Sequence, residues 1–136
     1  MSYRKFAQEY LKGAVNGASP LQLIIMLYDG ALRFMEAGRH AMLAGEIDKQ
    51  NTSLQRAQHV VTELMACLDM EQGGEVATNL FALYSFALNQ LVEANISDKT
   101  EAIDACIKIF SDLRESWVRL EADLRLKTKP GDALAA

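Results

Sequence analysis

The chain has 136 residues, half of them hydrophobic and 7% aromatic, with 8 Gly, 2 Pro and a formal net charge of -4. That is one domain's worth of chain, able to bury a continuous core without disulfides or metal, in a composition that favours packed helices over sheet or disorder. A mildly acidic exterior of mixed sign excludes nucleic acid as a partner, because phosphate recognition needs clustered cations, and no charge-free run of about 18 apolar residues exists to insert in a membrane.

Residues 1–18 read as a cap segment and hinge. Tyr3, Phe6, Ala7, Tyr10, Leu11 and Ala14 recur at helical spacing, while Gly13 and Gly17 separate the piece from the first long helix. A helix of only ~10 residues is marginal alone and must dock to persist, and flanking glycines make docking reversible. The piece either completes the core or covers a groove until a ligand displaces it. The charged residues in this segment stand where a signal peptide would need its apolar region, so the expectation is a cytoplasmic protein.

Residues 19–126 carry four long amphipathic patterns. Ser19 is placed to cap the first helix, with Pro20 at its first position and Gln22 as the capping-box partner. Its core stripe is predicted as Leu23, Leu27, Ala31, Phe34, Gly38 and Ala41, and a second apolar set, Leu21, Ile25, Tyr28, Leu32 and Met35, covers an adjoining face. One stripe suffices for a bundle; the second invites a partner. Gly45 can end the helix in a left-handed cap, and a second helix is expected from Glu46 to Met70 on Ile47, Leu54, Ala57, Val61, Leu64 and Leu68. Gly73-Gly74 makes the next turn. A third helix, from about Glu75 to Asn95, uses Val76, Leu80, Leu83, Ala87, Leu91 and Ala94. Asp98 with Glu101 offers a capping box for the fourth, on Ile103, Ile107, Phe110, Leu113, Trp117, Leu120 and Leu124. Short loops between long helices give an all-α antiparallel up-and-down four-helix bundle with a short N-terminal capping helix. Residues 127–136, with Pro130-Gly131, lack the apolar period and read as a flexible tail.

No chemistry emerges from these patterns. Glu36/His40 and His59/Glu63 are spaced by four and lie roughly 200° from the core stripes, so they face solvent and converge on no metal site. A histidine phosphotransfer module is an alternative from another class, but Glu63 after His59 would repel phosphate, and apolar residues follow His40. Cys67 and Cys106 sit in helical patterns, not in a CxxC pair, and read as small reduced residues at the core or its boundary. No catalytic residue, cofactor or metal is assigned. Met26, Met35, Met42, Met65 and Met70 concentrate in the first two helices, where thioethers suit an adaptable groove for a partner helix. A helical scaffold that dimerises through the same stripe is the structural alternative.

Three strings carry a resemblance: ASPLQLIIMLYDGALRFMEAG at 18–38, LDMEQGGEVATNLFALYSFALNQLVEANISDK at 68–99 and LRESW at 113–117. Together, in this order and spacing, they resemble the FliS family, the flagellin-specific export chaperones of bacterial flagella. The resemblance implies a cytoplasmic helical bundle that binds the disordered C-terminal segment of flagellin, prevents premature polymerisation and delivers the subunit to the flagellar type III secretion apparatus, where an export gate component is a second partner. It also implies that the segment from Tyr3 to Leu11 covers part of the flagellin groove. The chain departs from the family pattern at Gly17, where threonine is common, and at Asn89-Gln90, where basic residues are frequent. The expected cap is thus Tyr3, Phe6 and Tyr10, and the expected groove Leu21, Ile25, Tyr28, Leu32 and Met35 of the first helix with Val60 and Leu64 of the second.

Overall fold

The computed structural model describes residues 19–127, and the expectations placed on the cap segment 1–18 and on residues 128–136 of the tail lie outside the described residues. Four helices follow one another: α1 (Pro20–Ala44), α2 (Ile47–Ala66), α3 (Gly74–Ser97) and α4 (Thr100–Lys127). Each packs on its two neighbours in a closed square, α1 on α2 and α4, and α3 on α2 and α4, which is the up-and-down four-helix bundle.

Local chemistry sets most boundaries. Ser19 Oγ accepts from the Gln22 amide at 3.1 Å and Gln22 Oε1 accepts from the Ser19 amide at 2.8 Å, the reciprocal box that satisfies two otherwise orphaned donors. Gly45 closes α1 at φ 74°, where a side chain would be strained, and donates to the Ala41 and Met42 carbonyls. The second helix stops at Ala66 and does not run on to Met70. Beyond it the Asp69 carboxylate accepts from the amides of Glu71 and Gln72, a turn that competes with helix continuation. Asp98 departs from expectation as well. It does not head α4; it closes α3 in the left-handed region at φ 53°, with its carboxylate accepting from Gln50 Nε2 at 2.9 Å. Aspartate is among the few non-glycine residues that tolerate this region.

The core is built on two tyrosines and a phenylalanine. Tyr28 and Tyr84 share a hydroxyl hydrogen bond of 2.6 Å, and the Phe110 ring lies 5.2 and 5.8 Å from their centroids. Burial pushes both phenol pKa values up, since the anion would lose its water, and pushes the Cys106 thiol up to about 12. Cys106 instead donates to the Ala87 carbonyl at 3.5 Å. Cys67 is exposed, and neither cysteine is in a disulfide. Gly38 lets α1 and α2 approach closely, for a Cβ there would stand 2.5 Å from Leu54 Cδ2.

The buried arcs are wider than single stripes. Tyr28 and Met35 of α1 are fully buried, while Phe34, expected inside, is half-buried with the Arg33 and Arg56 guanidiniums at 5.7 and 6.0 Å from its ring centroid. Val76, Leu120 and Leu124, expected in core stripes, are exposed. With Cys106 beside Ala87, the antiparallel register carries the α4 residues after Arg119 past the start of α3, so Leu120 and Leu124 find no α3 turn to pack on.

Candidate functional site

The α1–α4 seam is held by polar cross-links. Gln22 Nε2 donates to Glu121 Oε1 at 3.4 Å, Arg114 pairs with Asp29, and Arg39 Nε donates to Asp104 Oδ1 at 2.6 Å. Leu21, Ile25 and Leu32 lie on this flank of α1 by helical period and are half-buried. Of the other expected groove residues, Tyr28, Met35 and Val60 are interior and offer no surface, because α1 and α2 each bury an arc against two neighbours. Leu64 is interior too, but it reaches the floor of a cleft at the start of α3. Tyr3, Phe6 and Tyr10 lie outside the described residues. The two-helix face expected as a groove is thus dispersed between seam, core and cleft.

Open apolar surface lies on α3 instead, with a second set, Val118, Leu120, Leu124 and Leu126, at the end of α4. From Val76 to Val92 α3 contains no Asp, Glu, Lys or Arg, and Phe81, Phe86 and Val92 remain 44%, 39% and 43% exposed. A helix apolar beyond its buried face either lies inside a larger body or meets a partner. Two edges result. Phe81, Leu88 and Val92 share helical period with Asn95, whose side chain bonds Asn51 at 2.8 Å and Gln50 at 3.2 Å, so this edge faces α2. Leu83 and Phe86 flank Ala87, the acceptor of the Cys106 bond, so that edge faces Ile109 and Leu113 of α4. The signal that would have found this surface was in the sequence: the uncharged tract itself.

The cleft at the start of α3, about 200 Å³ in volume, opens between all four helices and is lined by Ile24, Leu64, Leu68, Val76, Leu80, Tyr84 and Trp117. Its walls are mostly apolar, with Asp69 and Cys67 also on the lining. Among the described residues the buried Trp117 indole N–H meets no acceptor at full hydrogen-bond geometry, and the Tyr28 hydroxyl is the group it lies beside. A second, polar hollow of about 460 Å³ lies between α1 and α2, where His40 and Arg56 flank the Lys49–Glu46 pair at 2.7 Å. That pair draws the Glu46 carboxyl below and the Lys49 ammonium above its ordinary value. Among the described residues no three His, Cys, Asp or Glu side chains gather to hold a metal ion, and no helix is long and apolar enough to cross a membrane. The arrangement suits docking of an apolar segment far better than bond-making chemistry.

Known proteins share both sequence and shape with this bundle. Residues 2–123 match the family model of the flagellar protein FliS. The flagellar secretion chaperone FliS of Salmonella typhimurium is 35% identical over 118 residues, 86% of this chain and 87% of that one. Those of Vibrio cholerae and Bacillus subtilis are 31% identical over 116 residues and 30% over 108, spanning 85% and 79% of this chain and 85% and 80% of theirs. A crystal structure of a flagellar chaperone from bacteria superposes with a TM-score of 0.72 at 16% identity, over 85% of this chain and 97% of that one, a likeness of fold. The named relatives are chaperones, a role without catalysis. This chain belongs to the FliS family of flagellar secretion chaperones.

Proposed function

We propose that this chain binds the C-terminal segment of flagellin in the cytoplasm, keeps it from polymerising before export and presents it to the flagellar type III secretion apparatus through an export gate component. The observation that carries this reading is the exposed apolar surface of α3 along the uncharged tract from Val76 to Val92, whose first residue also lines the cleft floored by Leu64, Leu80 and Trp117. A segment disordered on its own gains apolar contact along such a surface and loses chain entropy in doing so, which leaves affinity moderate for the area covered and release feasible. Leu21, Ile25 and Leu32 extend the contact along α1, and Tyr3, Phe6 and Tyr10 form the cap that the client displaces.

The test is co-purification of this chain with full-length flagellin and with flagellin lacking its last ~40 residues, a length on the order of that ordered in coupled folding and binding. Retention of the full-length protein and loss of the truncated one is the expected outcome. Equal retention of both removes the C-terminal segment from the proposal. In calorimetry, deletion of residues 1–12 should change the affinity for a C-terminal flagellin peptide; an unchanged value removes the cap.

A further inference from the structure

We infer that the α2–α3 edge is a trough that selects for absence of charge: it accepts a helical segment whose facing side chains are apolar in the middle and amide or hydroxyl at the margins. The inference rests on the flagellin-binding reading and names the chemistry of the part of the client that lies there.

The trough is built from three parallel rows. Its centre is Phe81, Leu88 and Val92, of which Leu88 also packs on the core. On α2 one margin is Asn51, Gln55, Gln58 and Thr62, spaced four, three and four, so they form a single ridge beside α3. The Asn51–Asn95 bond of 2.8 Å fixes that ridge against the partner helix. On α3 the outer margin is Thr78, Ser85 and Asn89, spaced seven and four. None of the three rows carries an ionisable side chain. The cross-helix ion pairs among the described residues, Arg114–Asp29 and Arg39–Asp104, both belong to the α1–α4 seam on the other side of the bundle.

Some marginal groups are already spent inside the helices. Thr62 Oγ1 donates to the Gln58 carbonyl at 2.9 Å, Thr78 Oγ1 to the Gly74 carbonyl at 3.1 Å, and Gln55 Nε2 to Asn51 Oδ1 at 3.2 Å. The Gln58 and Ser85 side chains, both half-buried, and the exposed Asn89 amide can donate and accept toward an occupant. Such groups match amides and hydroxyls. They give an ionised side chain no counter-charge, so a client charge laid on the trough would lose water without compensation. The uncharged tract of α3 is roughly 25 Å long at 1.5 Å per residue, which accommodates four to five turns of a client helix, in rough measure.

The experiment is calorimetry with a synthetic peptide of the C-terminal segment of the same bacterium's flagellin, at about 50 and about 500 mM NaCl, a range over which exposed charge contacts are strongly screened. The full chain is compared with Gln58→Glu and Ser85→Glu, which charge the trough, and with Ala37→Glu, which adds the same charge on the outside of α1; circular dichroism checks the fold of each. The expected result is a parent Kd that moves by no more than about twofold with salt, a loss of at least about tenfold for both trough variants, and no change for Ala37→Glu. A parent affinity that collapses in high salt overturns the inference and leaves flagellin binding standing. Salt-insensitive binding with the trough variants unaffected moves the client elsewhere and overturns it too. A parent that does not bind the peptide at all overturns the functional reading, and this inference with it.

Discussion

The two sides of this bundle solve opposite problems. Across the α1–α4 seam, half-buried Leu21, Ile25 and Leu32 are bordered by Gln22–Glu121, Asp29–Arg114 and Arg39–Asp104, polar links that set the register of the two helices and leave only part of each apolar side chain open. On α3, Phe81, Phe86 and Val92 are equally apolar, yet no charged residue from Val76 to Val92 provides a comparable link. The contrast is one of charge: apolar residues on the seam are bordered by ion-paired side chains, those of α3 by uncharged amides and hydroxyls. The seam is a joint fixed in register. The α3 surface is an unfinished one, and a chaperone that must let its client go has reason to leave it so.

The largest expected effect separates the two faces of α3 itself. Leu91→Ala removes a fully buried side chain and should cost about 3 kcal/mol in urea unfolding, whereas Val92→Ala, one residue on, should cost under about 1 kcal/mol. Comparable losses would mean that Val92 is core. Next comes alkaline pH. Cys106, Tyr28 and Tyr84 have folded pKa values raised above their ordinary ones, so above about pH 9 the unfolded chain loses protons that the fold retains, and stability falls as pH rises. Unfolding free energies measured at pH 8 and above 10 should differ by about 1.4 kcal/mol for each pH unit over which one group ionises only when unfolded, and Cys106→Ala should remove the part that begins near pH 9. A flat profile would show that these groups are hydrated in the fold.

Two smaller effects bear on the comparison directly. Phe81→Asp should leave the melting curve within about 1 kcal/mol of the parent while weakening a flagellin C-terminal peptide at least about tenfold, and Ile25→Asp on the seam should weaken it less. The reverse order would make α1, not α3, the client's main seat. The smallest effect is the Asp29–Arg114 pair, about two-fifths exposed at both side chains: a double-mutant cycle should return less than about 1 kcal/mol of coupling, fading in high salt. A larger, salt-resistant coupling would mean the seam does more than set register.

Much of the architecture was legible because it is encoded locally. Ser19 with Gln22, and Gly45 at a positive φ, act within a few residues of themselves, and the apolar period fixes which segments are helical. Asp98 was ambiguous for the same reason: an aspartate can start one helix or end another, and Gln50, far away in sequence, settles the choice. Tyr28 and Met35 resembled a second, open stripe because a helix between two neighbours buries an arc wider than one row, and no single sequence says how wide. Leu120 and Leu124 keep the core period, yet they extend past α3, a fact of register between helices. The α3 surface was readable but easily passed over, since uncharged tracts are ordinarily core.

Trp117 is the sole tryptophan in the chain, and it stands at the cleft with the Tyr28 ring 6.5 Å from its own. The molecule therefore carries its own optical gauge. Light absorbed near the red edge of the protein band excites this one indole, and any guest that excludes water from its neighbourhood shifts the emission colour without a dye or label having been attached.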